Sequence, residues 1–123
     1  MRRNNLIRVP SDEVQGEGSF VTLRRPTWKT MRAVMKAQMG SGESDAEIGV
    51  EALEVAFPNM IVAWNWAKED VMIDEYGKEM IVARALALPS QDADVLEELD
   101  FEEIMFLIQH VTPLLGALGN RKN

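Results

Sequence analysis

The period of apolar and polar positions changes several times along the chain, and each change marks an element. Phe20, Thr22 and Arg24 alternate with Val21, Leu23 and Arg25, so an extended segment is predicted over Gly18–Arg25. A second extended segment is predicted over Asn4–Pro10, and Gln15-Gly16-Glu17-Gly18 between the two reads as a turn or flexible loop. After Pro26 the period becomes helical. Trp28, Met31, Val34, Met35 and Met39 recur along one stripe and predict a helix over Thr27–Met39, with Lys29, Arg32 and Lys36 as a neighbouring basic stripe. Gly40-Ser41-Gly42-Glu43-Ser44 then breaks the pattern as a short flexible joint.

Ser44-Asp45-Ala46-Glu47 fits a capping box and predicts a second helix towards Phe57, weakened by Gly49 and ended or kinked at Pro58. Asn59–Trp66 is apolar and ambiguous between buried helix and strand. Val71-Met72-Ile73 and Met80-Ile81-Val82, joined through Asp74-Glu75-Tyr76-Gly77, predict a hairpin with glycine at the turn. Pro89-Ser90 opens a short acidic helix ending near Leu99. The last helix has the clearest signals: Asp100 caps it, Glu103 closes a capping box, and Leu99 staples against Ile104. Its buried stripe is predicted to be Phe101, Ile104, Met105, Ile108, Val111 and Leu115, with Pro113 kinking or ending the helix. These elements predict an α+β fold that is mainly α-helical. It forms a single small domain over 1–123, with a short N-terminal β element and a β-hairpin around Tyr76.

Charge divides the same chain in two. Met1–Met39 holds eight basic residues and three acids, whereas Gly40–Asn123 holds five basic residues and seventeen acids, a split of +5 and −12 that sums to −7. The domain therefore reads as a basic N-terminal segment over 1–39, a flexible joint over 40–44 and an acidic helical segment over 45–119. Such a dipole bears on association and on which partners are steered in. The acidic bulk argues against general nucleic-acid binding, because phosphate neutralisation needs a large basic face. With 123 residues and 46% hydrophobic content the chain can bury a core. The absence of cysteine excludes a disulfide framework and thiolate chemistry. The longest apolar run, Met60–Trp64, is far too short to span a bilayer, which leads to the expectation of a soluble, intracellular protein.

Catalytic and metal chemistry finds little support. His110, the only histidine, lies inside the last helix and reads as a structural residue at a core edge. The acids Glu69, Asp70, Asp74 and Glu75 fail the EF-hand pattern, since Met72 and Glu75 fall where an oxygen ligand and a glycine are required, so they read as a solvated hairpin tip. Gly16-Glu17-Gly18 lacks the following Gly-Lys-Ser/Thr of a phosphate loop. No enzyme activity, cofactor or metal is expected.

Binding is better supplied. Arg24, Arg25, Lys29, Arg32 and Lys36 cluster beside Trp28. They read either as an exposed face that pairs with the acidic half of the chain, or as a surface for an acidic patch on a partner or neighbouring subunit. Trp64 and Trp66 lie two apart; in a strand they share a face, in a helix they diverge by about 200°. Both read as core, with the alternative that one is an interface anchor. Eight methionines add adaptable apolar surface suited to irregular helical partners.

The order of Val21-Thr22-Leu23-Arg24-Arg25-Pro26-Thr27-Trp28, a helix pair, Ile61-Val62-Ala63-Trp64-Asn65-Trp66, an acidic hairpin, and Leu88-Pro89-Ser90 followed by Asp92–Glu103 resembles the tail assembly chaperones of long-tailed, siphovirus-type bacteriophages. The resemblance spans roughly residues 18 to 115 and carries no catalytic signature. It implies a non-enzymatic chaperone that binds the tape-measure protein and recruits tail-tube subunits in the bacterial host cytoplasm during phage assembly. It also implies a longer form made by ribosomal frameshifting, with which codons for Lys122-Asn123 are compatible. The alternative is a structural subunit of the tail or head–tail connector retained in the particle. A homo-oligomer is compatible with either; neither nucleic acid nor membrane is an expected partner.

Overall fold

The computed structural model describes residues 5–40 and 49–116. Strand β1 (Leu6–Pro10) runs antiparallel to β2 (Phe20–Arg24), with Ile7 opposite Leu23 and Val9 opposite Val21. The alternation along β2 buries Val21 and Leu23 and leaves Arg24 exposed. The connection is tighter than a plain loop. A single helical turn, α1 (Asp12–Gln15), is followed by Gly16 and Gly18, whose φ of 99° and 86° lie in the left-handed region that favours glycine. Helix α2 (Trp28–Gly40) follows the strand, so the predicted helix holds almost to the residue. Of the predicted joint 40–44, Gly40 closes α2; the rest, and the capping box at Ser44–Glu47, lie outside the described residues.

Helix α3 (Val50–Met60) begins after Gly49, whose N–H donates to the buried Gln38 side chain at 2.8 Å and ties α3 to α2. Pro58 lies within this helix, near enough to its end that the chain turns directly into β3 (Ile61–Trp64). β3 pairs antiparallel with β2 and completes a three-stranded sheet of order β1-β2-β3. Past β3, the Asn65 side chain continues the pairing: its Oδ1 accepts the Phe20 N–H and its Nδ2 donates to the Gly18 carbonyl. Strands β4 (Ala67–Ile73) and β5 (Glu79–Ala85) form a separate two-stranded sheet. A one-turn helix, α4 (Val95–Glu98), and helix α5 (Phe101–Val111) follow, and α5 passes into a 3-10 turn over Thr112–Leu115, where Pro113 cannot continue an α-helix. The core lies between the inner face of the three-stranded sheet, α3 and α5, built from Val21, Leu23, Ala56, Phe57, Trp66 and Phe106 with their neighbours.

The expectation of a mainly helical fold is corrected by these strands. Among the described residues five strands in two antiparallel sheets stand beside the helices, and the fold is a mixed α+β domain. Within the acidic segment, described over residues 49–116, β3, β4 and β5 stand beside the helices. The ambiguous Asn59–Trp66 stretch divides: Asn59 and Met60 finish α3, and Ile61 onward is strand because β2 offers it an open edge. The acidic helix expected from Pro89 shrinks to α4, preceded by turns.

Two helix faces are rotated from expectation. In α2 the buried positions are Thr30, Val34 and Gln38, while Trp28 and Met39 are exposed. In α5 the capping box forms as predicted: Asp100 accepts from the Glu103 N–H, and Glu103 accepts from the Asp100 N–H, both at 2.9 Å. Yet Glu103, Phe106, Leu107 and Val111 are buried, Ile104 and Ile108 only partly, and Phe101 is 76% exposed. Apolar residues occur almost all round α5, so periodicity alone does not set its phase. Replacing Phe101 with alanine is expected to change stability by no more than about 0.5 kcal/mol. Leu107→Ala should cost about 2–5 kcal/mol. Urea unfolding of both variants checks this, and equal losses would return Phe101 to the core.

Candidate functional site

The two tryptophans at the end of β3 resolve as core. Their indole rings stack 4.8 Å apart at 5°, as side chains two apart on extended backbone can. Trp66 is 1% exposed, packs against Phe106, and donates from Nε1 to the Ser11 hydroxyl at 2.9 Å. Trp64 is half-buried and donates to the Leu86 carbonyl at 3.1 Å. Trp66 thus offers no surface to a partner, and Trp64 is only partly accessible.

Behind them lies a polar network. Ser11 bonds Ser19 through both its backbone N–H and its hydroxyl. Gln15 accepts the Ala67 N–H and donates to the Glu103 carboxylate. Glu103 also pairs with Lys68 Nζ at 3.1 Å. A buried carboxylate needs this many donors to offset its lost hydration. The network joins α1, the foot of β4 and the start of α5, and it anchors the hairpin.

The hairpin turn is closed by Asp74, whose Oδ1 accepts the N–H groups of Tyr76 and Lys78, with Gly77 at φ 78°. Asp74 is thus a turn residue. Among the described residues no three acidic or histidine side chains converge as a metal-binding group. Near the foot, Arg84 bridges Asp70 at 2.7 Å and Glu98 at 2.6 Å; these bonds, Asp70 first, hold its guanidinium pKa above the usual value. Beyond this bridge Val71, Met72, Ile73, Met80 and Ile81 are exposed on both faces. His110 packs against Phe106 with the rings tilted by 47° and 4.5 Å between their centroids, a packing contact.

The basic residues form a surface. Arg24, Lys29, Arg32 and Lys36 are exposed beside Trp28, which is 67% exposed. Among the described residues the ion pairs are those of Lys68 and Arg84, so none joins this surface to the acidic half. Arg25 differs: it is half-buried, and its Nε is enclosed without an acceptor among the described residues.

One feature has no local signal in the sequence. A groove of about 200 Å³ runs between α3, α4 and α5, floored by Leu53, Phe57, Leu96, Ile104 and Ile108 and edged by Val50, Glu54 and Glu97. Its walls come from segments far apart in the chain, which is why periodicity does not reveal it; the half-apolar faces of α3 and α5 are its only trace. No helix among the described residues is long and apolar enough to cross a membrane. No family model, curated protein or solved structure matches the chain.

Proposed function

We propose that this protein is a non-enzymatic tail assembly chaperone of a long-tailed bacteriophage, holding the tape-measure protein while tail-tube subunits are recruited. The observation that carries the reading is the groove between α3 and α5: an apolar floor with Glu54 and Glu97 at its rim. A helix with one apolar stripe and flanking basic residues fits such a groove by laying the stripe on the floor. A tape-measure protein is a long amphipathic helix, and covering its stripe keeps it from aggregating. The order of elements that resembles the chaperone family supports the same reading.

Co-expression with tape-measure fragments tests it. The wild-type protein should raise the soluble fraction of a fragment. Val50→Glu should reduce that gain, since Val50 is exposed at the groove's edge and an acid in the first turn of α3 suits the helix dipole. A fragment equally soluble with and without the protein would sink the proposal. The alternative, a structural subunit of the tail or head–tail connector, draws on the exposed hairpin, which suits a component held in an assembly. Mass spectrometry of purified particles separates the two: stoichiometric peptide means a retained subunit.

A further inference from the structure

We infer that the β4–β5 hairpin of one copy of this chain docks on the basic face of α2 in a second copy. Among the described residues the hairpin strands pair only with each other, so each keeps one edge without a neighbouring strand. By register, Val71 and Ile81 lie opposite one another on one face with Ile73 beside them, while Met72 and Met80 lie opposite one another on the other. All five are exposed, and Tyr76 at the tip is 86% exposed. A solvated antiparallel ribbon keeps at least one polar face, and a bare two-stranded hairpin is marginal in water. Exposed apolar edges also invite pairing, which soluble proteins normally block. This arm therefore has the character of a buried element with its cover removed.

Charge selects the cover. Glu69 to Glu79 contains five acids, Glu69, Asp70, Asp74, Glu75 and Glu79, against the single base Lys78. Among the described residues only Asp70 of these acids is ion-paired, with Arg84. Two such arms laid together would set acid against acid, which disfavours a symmetric arm-to-arm contact. The opposite surface exists on the same chain. Residues 24–40 carry five bases and no acid, with Trp28 and Met39 exposed among them. Trp28, Arg32 and Met39 fall on one side of α2 at helical spacing, so the face is apolar and cationic together. Within one molecule α2 packs on α3, and the hairpin is not among its main contacts. Each surface supplies what the other lacks.

Because the two surfaces differ, the contact is heterologous. It runs head to tail and either closes into a ring or propagates. It does not depend on the tape measure, and its test needs only this protein.

The test is sedimentation of the full chain over a range of protein and salt concentrations. The wild type should self-associate, and salt should weaken the association as it screens the charge pairs. Lys29→Glu with Arg32→Glu and Lys36→Glu should raise the dissociation constant about tenfold or more, as should Glu75→Lys with Glu79→Lys. Mixing these two variants should restore assembly, since each reversed surface then meets a complement. Val71→Thr with Ile81→Thr keeps the preference for strand and should also weaken assembly. Every substituted residue is exposed or half-exposed, and an unchanged circular dichroism spectrum and melting temperature would separate lost contact from lost fold. A wild type that stays monomeric at all concentrations would overturn the inference. So would association untouched by either charge reversal or by the hairpin substitutions.

Discussion

Trp66→Ala is expected to be the most damaging single substitution, costing about 3–5 kcal/mol. Three losses add at this site. The indole is 1% exposed, so its removal opens a cavity in the core. The stack with Trp64 at 4.8 Å and the contact with Phe106 disappear. The Ser11 hydroxyl also loses the donor that holds it at 2.9 Å, although it keeps its bond to Ser19. For a chain of this size the loss corresponds to a fall of about 10–20 °C in melting temperature. Thermal unfolding followed by far-ultraviolet circular dichroism measures it. A fall of less than about 3 °C would mean that Trp66 is not the keystone described, since even an ordinary buried side chain costs more. Trp28→Ala provides the contrast: Trp28 is exposed on α2, and its loss should shift stability by no more than about 0.5 kcal/mol.

Glu103→Ala is expected to cost about 2–4 kcal/mol, because a buried group with several partners leaves each of them unpaired when it is removed. Glu103 is 3% exposed. It accepts from the Asp100 N–H, from Gln15 and from Lys68, so one change undoes half of a helix cap and the anchor of the hairpin. Lys68 is partly exposed and recovers some hydration, which keeps the cost below that of a fully enclosed pair. Glu103→Gln retains an acceptor for the cap, as glutamine does in capping boxes, but loses the charge and the second oxygen that accepts from Gln15 Nε2; about 1–2 kcal/mol is expected. Chemical denaturation of both variants gives the order. If glutamine proves as damaging as alanine, charge rather than the cap carries the site. If alanine is neutral, the network is not structural at all.

Glu103 also shows where sequence reasoning reaches its limit. The spacing of Asp100 and Glu103 identifies the cap, because a capping box is made within one turn and needs nothing beyond it. That spacing does not reveal its burial, because its other partners, Gln15 and Lys68, approach only in the folded chain. Its burial turns α5, and with it Phe101 and Met105, away from the core. The basic face of α2 is legible as a cluster, since residues three and four apart adjoin on any helix. That it stands without ion pairs to the acidic half among the described residues is not, because pairing depends on where distant segments lie.

The features closed by local chemistry can be read from the residues alone. These are the alternation that made β2, the limits of α2, the Asp74–Gly77 hairpin turn and the cap of α5. Each rests on contacts among residues a few positions apart, or on the backbone freedom of a single glycine. Tertiary structure decided the rest. It made Ile61–Trp64 a strand because β2 presented an edge for it, where an apolar run alone suits helix and strand equally. It placed Trp66 in the core through Ser11 and Phe106, which lie 55 and 40 positions away. It also gathered α3, α4 and α5 around one groove, since burial is decided by the sum of neighbours from distant segments, a sum that no local window contains.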